Sequence, residues 1–489
     1  MRNRFKQQLV IGLLPIEKTE ISTKIKTPMM ELLAALLKIY QTTKYSNQIF
    51  SALELSLQKD KKNTGRKGMD LWQIFILAQV RLCENIGYAQ LHSHANNHLT
   101  LRSLLGVGVD NGGFTRIEFE YQNIYDNVSS LSDELLKEIN EIIIDFGHTE
   151  IFKKKEKEAL RLKSDSFVVE SNVHFPTDYN LLWDSARKCI DGVNHLIKKY
   201  DNITGWRKLS NWRQELKGLM RELGRAGASG GKNKPERLKQ ATRKYLTKAK
   251  ALVVKLEKAL PEFPINDTSD LTNILMIEHF IPLFNKHIDL VERRVLKNEK
   301  IPHQEKLFSV FETYTEWITK GKLRPNVEFG KKLNITTDQY NLIIDYKIMD
   351  KLQDRDIVLE LADKILLKYK VSVWSFDKGY WNKDNKSILQ TSVETVVMPK
   401  LGKRNKQEEQ EEKSVKFKKY KNKHSTVESN INELEHRGLD RCPDRGYHHY
   451  KSYIANGICA YNLKKIGKKI LEDERELEKN KKAIHKQVA

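Results

Sequence analysis

The stretch LRLKSDSFVVESNV at residues 160–173 decides the fold, because it predicts a β-strand in a sequence whose other long segments have helical patterns. Phe167, Val168 and Val169 are aromatic and β-branched residues, which suit the pleated surface of a strand. Asp165 lies inside the same stretch, where a short charged side chain is unfavourable to bury. The stretch therefore predicts the first strand of a sheet and marks Asp165 as a residue that needs a functional explanation.

The residues after this strand predict a large helical insertion. The tripeptide PTD at 176–178 ends the extended pattern, and apolar spacing over 180–199 predicts a helix that Asp178 caps. Residues 185–305 stay helical and strongly basic, with a glycine-rich break at 224–231 that we expect to be mobile. The cations of this segment have two interpretations, a track along a DNA backbone or a solvated basic face. They are Lys232, Lys234, Arg237, Lys239, Arg243, Lys244, Lys248 and Lys250.

Strand patterns return after the insertion. Further strands are predicted at 307–318, 340–348, 371–376 and 394–398, with a helix at 357–367. The order β, helical insertion, β, β, α, β, α, β, α is typical of an α/β fold with a mixed sheet of the RNase H type, flanked by helices. Residues 403–423 carry mixed charge and are predicted to form a solvated loop, and a helix is predicted from Ser425 onward.

The first 150 residues predict an all-helical domain. Apolar residues recur at helical spacing over 29–147, and the basic segment 61–68 is predicted to be a linker. Short helices at 88–95 and 99–105, closed by Gly106, resemble a helix-turn-helix unit with DNA contact, although a small bundle without a DNA role has the same pattern. The predicted division is a helical domain at 1–150, a catalytic domain at 151–184 and 306–470, an insertion at 185–305, and a charged C-terminal helix or tail at 471–489.

The composition favours a polyanionic partner. The 489 residues include 86 Lys and Arg against 64 Asp and Glu, which gives a formal charge of +22. An anionic membrane surface also fits this charge, but no apolar run reaches the ~20 residues that span a membrane. The N-terminus lacks the features of an export signal, and four scattered cysteines do not form a disulfide framework, so we expect a cytoplasmic protein.

Two further carboxylates form a candidate metal site with Asp165. Asp377 follows the apolar strand VSVWSF, and ligands gather at the carboxyl ends of strands in open α/β sheets, although a turn role alone would explain this residue. Glu428 stands in the sequence STVE, which a capping box alone would explain. Together the three offer hard oxygen ligands for Mg²⁺, and two ions about 4 Å apart suit an in-line displacement at phosphorus. Competing members are Glu170, Asp178 and Glu435.

Several segments carry a family resemblance. They are SDSFVVESNVHFPTDYNLLWD around Asp165, WSFDKGYWN around Asp377, and HSTVESNINELEHRGLDRCPDRG around Glu428, followed by ANGICAYNLKKIG. In these segments the chain resembles the DDE transposases of bacterial insertion sequences. The stretch TGRKGMDLWQIFILAQVRLCENIGYAQLHSHANNHLTLRSLLG is similar to the helical region that precedes the catalytic domain in that family. The long interval at 185–305 departs from the family pattern, and we expect it to grip transposon ends or to form dimer contacts.

The resemblance implies an RNase H-like domain in which Asp165, Asp377 and Glu428 hold two Mg²⁺ ions, with Mn²⁺ as a substitute. It implies a transposase of a mobile element, which cleaves DNA at the ends of an insertion sequence and joins the freed 3′-hydroxyl to target DNA. A homodimer that pairs two ends, associated with a prokaryotic nucleoid, is expected from that activity. Polar neighbours of Glu428 would contact the scissile phosphate or hold the catalytic helix. They are His424, Asn432, His436 and Arg441.

Two other functions fit the same residues. A domesticated copy would act as a DNA-binding regulator without catalysis. A two-metal nuclease would hydrolyse a nucleic acid without joining the freed end to a target. Strand-transfer products separate these alternatives from a transposase.

Overall fold

The computed structural model describes Arg4 and residues 14–58, 68–108, 117–319 and 326–488. The chain divides into two compact units. The first, here called the sheet unit, comprises Met1–Asn172 and Ile318–Ala489, and the second, the helical unit, comprises Val173–Trp317. The predicted basic linker at 61–68 lies outside the described residues except for Gly68.

Within the described residues, seven α-helices precede the sheet. They are α1 (Pro28–Gln41), α2 (Thr43–Leu57), α3 (Leu71–Cys83), α4 (Tyr88–Asn97), α5 (Leu99–Leu104), α6 (Tyr121–Val128) and α7 (Asp133–Phe146). The start of α1 is fixed by Pro28 in the first turn and by Thr27, whose hydroxyl accepts a hydrogen bond from the backbone N–H of Met30. Every residue of α3 is buried, so this helix lies at the centre of the layer. The two short helices predicted at 88–95 and 99–105 are present as α4 and α5.

One mixed sheet of six strands forms the centre of the described part of the sheet unit. The strands are β1 (Leu160–Glu170), β2 (Glu316–Thr319), β3 (Val327–Thr337), β4 (Ile343–Ile348), β5 (Val371–Phe376) and β6 (Thr395–Val397). Their order is β2-β3-β1-β5-β6, and β4 also pairs with β3. β1 runs antiparallel to β3 and parallel to β5, which in turn runs parallel to β6. The predicted α/β class with a mixed sheet is therefore confirmed.

The helical unit contains four long helices. They are α8 (Asp178–Lys199), α9 (Leu209–Ala228), α10 (Lys234–Ala259) and α11 (Thr268–Val291). α8 packs against α9 and α11, and α10 packs against the same two helices, so the four surround one apolar core. Thr177 caps α8 by accepting a hydrogen bond from the Asn180 N–H, whereas Asp178, the predicted cap, is the first residue of the helix.

Four helices follow within the later part of the sheet unit. They are α12 (Val358–Leu366), α13 (Lys383–Ser392), α14 (Lys406–Lys413) and α15 (Val415–Leu434). α12 and α13 share an apolar core with Leu162 and Trp374, which lie on one face of the sheet. α15 contacts β1, β5 and β6. Helices thus cover the sheet where the two central parallel strands lie, as an α/β architecture requires.

A long helix, α16 (Tyr447–Val488), connects the sheet to the N-terminal helices. It packs against α1, α3 and α7 and also contacts β4. Gly467 lies where α16 meets α1, and a Cβ at this position would overlap the backbone carbonyl oxygen of Glu31. Any larger residue would therefore push the two helices apart. None of the helices, taken over the residues that the structure describes, is both long and apolar enough to cross a membrane.

Three local predictions are wrong. Residues 307–318 are not a strand before Glu316, because the Ser309 hydroxyl accepts hydrogen bonds from the N–H groups of Phe311 and Glu312 and closes a turn. The segment 403–423 is helical rather than a loop, since a capping box between Asn405 and Glu408 starts α14.

The third error concerns β3, where no strand was predicted. Its glycine and adjacent lysines at 330–332 hide the alternating pattern of a strand. The structure explains the glycine, because a Cβ at Gly330 would overlap the carbonyl oxygen of Val169 on β1.

The unit boundaries also differ from the predicted ones. α8 belongs to the helical unit because it packs on α11, and residues 1–150 share a unit with the sheet because α16 packs on α1, α3 and α7.

Candidate functional site

Asp165 and Asp377 lie side by side where the parallel pairing of β1 with β5 ends. Ser164 of β1 is the register partner of Phe376 of β5. Asp165 and Asp377 are the next residues of each chain, and Asp377 is still in an extended conformation. Because neighbouring strands are about 4.8 Å apart and residues in register point to the same face, the two carboxylates share one edge of one face.

Two contacts fasten α15 to this face of the sheet. The ammonium of Lys163 donates a 2.7 Å hydrogen bond to the hydroxyl of Thr426. The Ser375 hydroxyl and Nδ1 of His424 share a 3.0 Å hydrogen bond. Lys163 and Ser375 are themselves register partners on β1 and β5, so α15 is held across the two central strands.

This placement of α15 brings Glu428 near the two aspartates. Lys163 and Ser375 each lie two positions before an aspartate, and Glu428 lies one helical turn beyond His424. Glu428 is in the interior of α15, whose N-cap is Ser414, so the capping box predicted at 425–428 does not exist. The exposed Glu428 side chain therefore has no capping role.

The charges at this edge act on one another. The pKa of Asp165 is raised to about 7, mainly by burial and also by the nearby carboxylates of Asp377, Asp354 and Glu428. The Ser166 N–H opposes this shift by donating a 2.7 Å hydrogen bond. A half-buried carboxyl among like charges is stabilised by a proton or a cation. Perturbed carboxyls of this kind cluster at functional sites.

Asp354 is a member of the acidic cluster that the sequence analysis misses. Its carboxylate accepts a 2.6 Å hydrogen bond from the Ser166 hydroxyl and forms an ion pair with Lys332 at 2.8 Å. Its carboxylate also lies against Gly379, which immediately follows the Asp377-Lys378 turn. The sequence QDRD at 353–356 reads as the start of a helix, so no local pattern separates Asp354 from its neighbours.

The four predicted polar neighbours of Glu428 divide by exposure. His424 is buried, and burial lowers its pKa to about 4, so the neutral imidazole serves to anchor α15. Asn432 and His436 are exposed. Arg441 is exposed and its guanidinium donates to Asn172 Oδ1 at 3.3 Å. The structure thus gives His424 a structural contact and leaves Asn432 and His436 on the surface.

The predicted DNA-contacting cations of the insertion lie in the helical unit. Lys244 pairs with Glu222 of α9 at 3.3 Å, and Arg237 donates to the carbonyl oxygen of Gly230 at 2.7 Å. Lys232 and Arg243 are exposed, and Lys234 is half-buried. These residues belong to a different unit from the carboxylates.

The chemistry of the donor set fits Mg²⁺, which prefers carboxylate oxygens and retains water. The side chains of Asp377 and Glu428 make no hydrogen bond or ion pair with another described residue. In the described ranges, no three His, Cys, Asp or Glu side chains are arranged to hold a metal ion as they stand. The two aspartates supply adjacent ligands, and the long exposed side chain of Glu428 is the member that would reorient to join them.

Comparisons of this chain with protein families, with curated proteins and with solved structures give no match. The proposal for a function therefore rests on the geometry around Asp165 and Asp377 and on the resemblance of the motifs.

Proposed function

We propose that this protein is a DDE transposase, which cleaves DNA at the ends of an insertion sequence and joins the freed 3′-hydroxyl to target DNA. The observation that carries the proposal is the pair Asp165 and Asp377 on adjacent parallel strands, with Glu428 on the helix that crosses the same face. The formal charge of +22 fits a DNA substrate. The motifs around all three carboxylates resemble those of the family.

The strand order supports an RNase H-like assignment for the sheet. In β4-β3-β1-β5-β6, the antiparallel strands β3 and β4 lie on one side of β1 and the parallel strands β5 and β6 lie on the other. The helical unit follows β1 as a single insertion. We infer that this insertion holds transposon ends or a second protomer, since pairing two ends requires two active sites.

Each carboxylate has a role in the proposed reaction. Asp165 and Asp377 would hold two Mg²⁺ ions together with Glu428, and Mn²⁺ would substitute. When bound, such ions activate the attacking water or 3′-hydroxyl and stabilise the leaving oxygen. His424 positions the site by fixing α15 to Ser375, and Lys163 does so through Thr426. The proposed setting is the cytoplasm of a prokaryotic cell, at the nucleoid.

The test is cleavage of labelled DNA that carries the inverted repeats flanking the gene, with Mg²⁺. Asp165→Asn, Asp377→Asn and Glu428→Gln should each lower the cleavage rate by at least about 100-fold, because each removes a ligand at the reacting phosphate. Asp363→Asn is the matched control, since Asp363 is an exposed carboxylate on α12. Full cleavage by the three variants would refute the assignment.

The products distinguish the proposal from its two alternatives. Joined target DNA supports a transposase, whereas cleavage without joining would show a hydrolytic nuclease. Binding that persists in EDTA, with no cleavage when Mg²⁺ is added, would show a regulator. Glu435→Gln should leave cleavage intact, because Glu435 lies in the π-helical turn after α15.

A further inference from the structure

A cavity of about 250 Å³ lies on the same face of the sheet as the three carboxylates. Residues of β1, β5 and α15 line it, and they include the cations Arg161, Lys163 and Lys423. Lys163 lies two positions before Asp165 on β1, and Lys423 lies on α15 five positions before Glu428. The cavity and the carboxylates are therefore neighbours in a single cleft between the sheet and α15.

The three cations lack acidic partners within the part of the chain that the structure describes. Lys163 donates to two neutral oxygens, Asn341 Oδ1 at 3.3 Å and Thr426 Oγ1 at 2.7 Å. The guanidinium of Arg161 and the ammonium of Lys423 make no ion pair with another described residue. Three cations around one cavity repel one another, so an anion that enters it relieves that repulsion.

The rest of the lining suits a nucleobase. Val373 contributes apolar surface, and Tyr420 contributes an aromatic ring. Cations that track a backbone beside an aromatic ring are typical of proteins that bind single-stranded nucleic acid. The volume is below the roughly 300 Å³ at which sites for whole drug-sized ligands begin, so the cavity accommodates one unit of a chain and not a duplex.

We propose that this cavity binds one nucleotide of a single-stranded DNA segment, with the phosphate at Arg161, Lys163 and Lys423 and the base against Tyr420. The nucleotide would then lie next to Asp165 and Asp377. Its position beside the scissile phosphate rests on the proposed function, whereas the binding itself does not need metal.

The first test measures binding of a fluorescent single-stranded oligonucleotide by the full-length protein in EDTA. The double variant Arg161→Gln with Lys423→Gln should weaken binding at least tenfold. It should also lower the slope of log affinity against log salt by up to about 0.7, because the site neutralises one phosphate and each neutralised phosphate contributes about 0.7. Lys418→Gln is the control, since Lys418 is an exposed lysine on the same helix, and it should change affinity less than twofold.

A second measurement tests the base. Wild-type protein should bind the oligonucleotide several-fold more tightly than an abasic strand of equal length, and Tyr420→Leu should remove that difference. The inference would be overturned if the double variant and Lys418→Gln lost the same amount of affinity for the oligonucleotide. It would also be overturned if the wild type bound the two strands with equal affinity. Circular dichroism of each variant verifies that it is folded.

The outcomes separate this inference from the proposed function. Suppose that the wild type binds the oligonucleotide more tightly than the abasic strand, and more tightly than the double variant does, but does not cleave DNA. The nucleotide site then stands and the transposase assignment fails. If the Arg161→Gln and Lys423→Gln variant binds and cleaves like wild type, the transposase assignment stands and the nucleotide site is wrong.

Discussion

The helical unit and the sheet unit differ in where charges of one sign gather. In the helical unit, cations on and around α10 meet acids on neighbouring segments, as Lys244 does with Glu222 and Lys250 with Glu292. Arg293 is paired with three acids, Asp289, Glu299 and Glu305. These surface pairs each contribute little to stability. Other cations of this unit, such as Lys232 and Arg243, are exposed on its surface.

The sheet unit instead gathers like charges at one place. Asp165 lies among Asp377, Asp354 and Glu428, and the neighbouring cavity is lined by cations without acidic partners. Such arrangements reduce stability, so they are informative where they occur. The comparison teaches that the formal charge of +22 is a poor guide to a binding surface, and that unsatisfied charges are a better one.

A large expected effect on stability tests the packing that supports the sheet unit. Gly467→Ala should lower the free energy of unfolding of this unit by about 3 kcal/mol, because the new Cβ overlaps backbone and not a mobile side chain. Amide hydrogen exchange in peptides from α1 and α16 should accelerate strongly, while peptides from the helical unit should change little. Unchanged exchange in α1 would contradict the close contact between the two helices.

The next effect concerns the cost of the acidic cluster. Because the pKa of folded Asp165 is raised to about 7 from 3.8, the folded state holds the proton more tightly, and stability falls as pH rises through that window. At about 1.36 kcal/mol per pKa unit, the cost above pH 7 is at most about 4 kcal/mol. Asp165→Asn should therefore stabilise the protein at pH 8 and have little effect at pH 4.

Urea denaturation at the two pH values measures this effect, with Asp363→Asn as the control. Added Mg²⁺ should stabilise the wild type at pH 8 and reduce its difference from Asp165→Asn. A difference that is the same at both pH values would show that the ionisation of Asp165 is not its cause.

A glycine in the helical unit provides the matching packing test. Gly218 lies in α9, is exposed, and has no heavy atom within 4 Å of an added Cβ. Gly218→Ala should raise the free energy of unfolding by about 0.5–1 kcal/mol, because alanine loses less conformational entropy in a helix. Thermal unfolding measures whether the variant is more or less stable than the wild type. A less stable variant would mean that α9 is covered at this position.

The smallest effect tests the paired cations directly. Lys244→Gln combined with Lys248→Gln should change the affinity for single-stranded DNA less than twofold, since both lysines already face acids on α9. Arg243→Gln, which removes an exposed cation, should have an intermediate effect, smaller than that of the cavity variant. If the paired lysines contributed as much as Arg161 and Lys423, the contrast between the two units would fail.

Local patterns in the sequence predicted much of the sheet and of the candidate site. β1, β4, β5 and β6 were expected from alternating or apolar runs, and the two aspartates were expected at or within those strands. β3 was missed because its lysines interrupt the apolar pattern, and the acids that pair with them come near only in the folded chain, as Asp354 does with Lys332. Asp354 was missed for the same reason, since its neighbours at the site are distant in sequence.

Glu428 shows a different limit of sequence reasoning. The sequence STVE at 425–428 fits both a capping box and the interior of a helix. Only the start of α15 at Val415 shows that it lies in the interior. The charged run at 403–423 hid that start, because its helices are stabilised by the cap at Asn405 and by pairs such as Lys400 with Glu408. The helices at 403–423 depend on these specific hydrogen bonds and ion pairs, which the composition of the segment does not reveal.

The packing of α1 against α16 also constrains how the chain is made. α1 ends at Gln41, but the helix that covers it begins only at Tyr447. At roughly 5–20 residues per second, this interval is on the order of half a minute, during which the apolar face of α1 has no native cover from α16. The sheet unit therefore completes its fold only after synthesis of α16, and a premature stop would leave an aggregation-prone fragment rather than a working N-terminal piece.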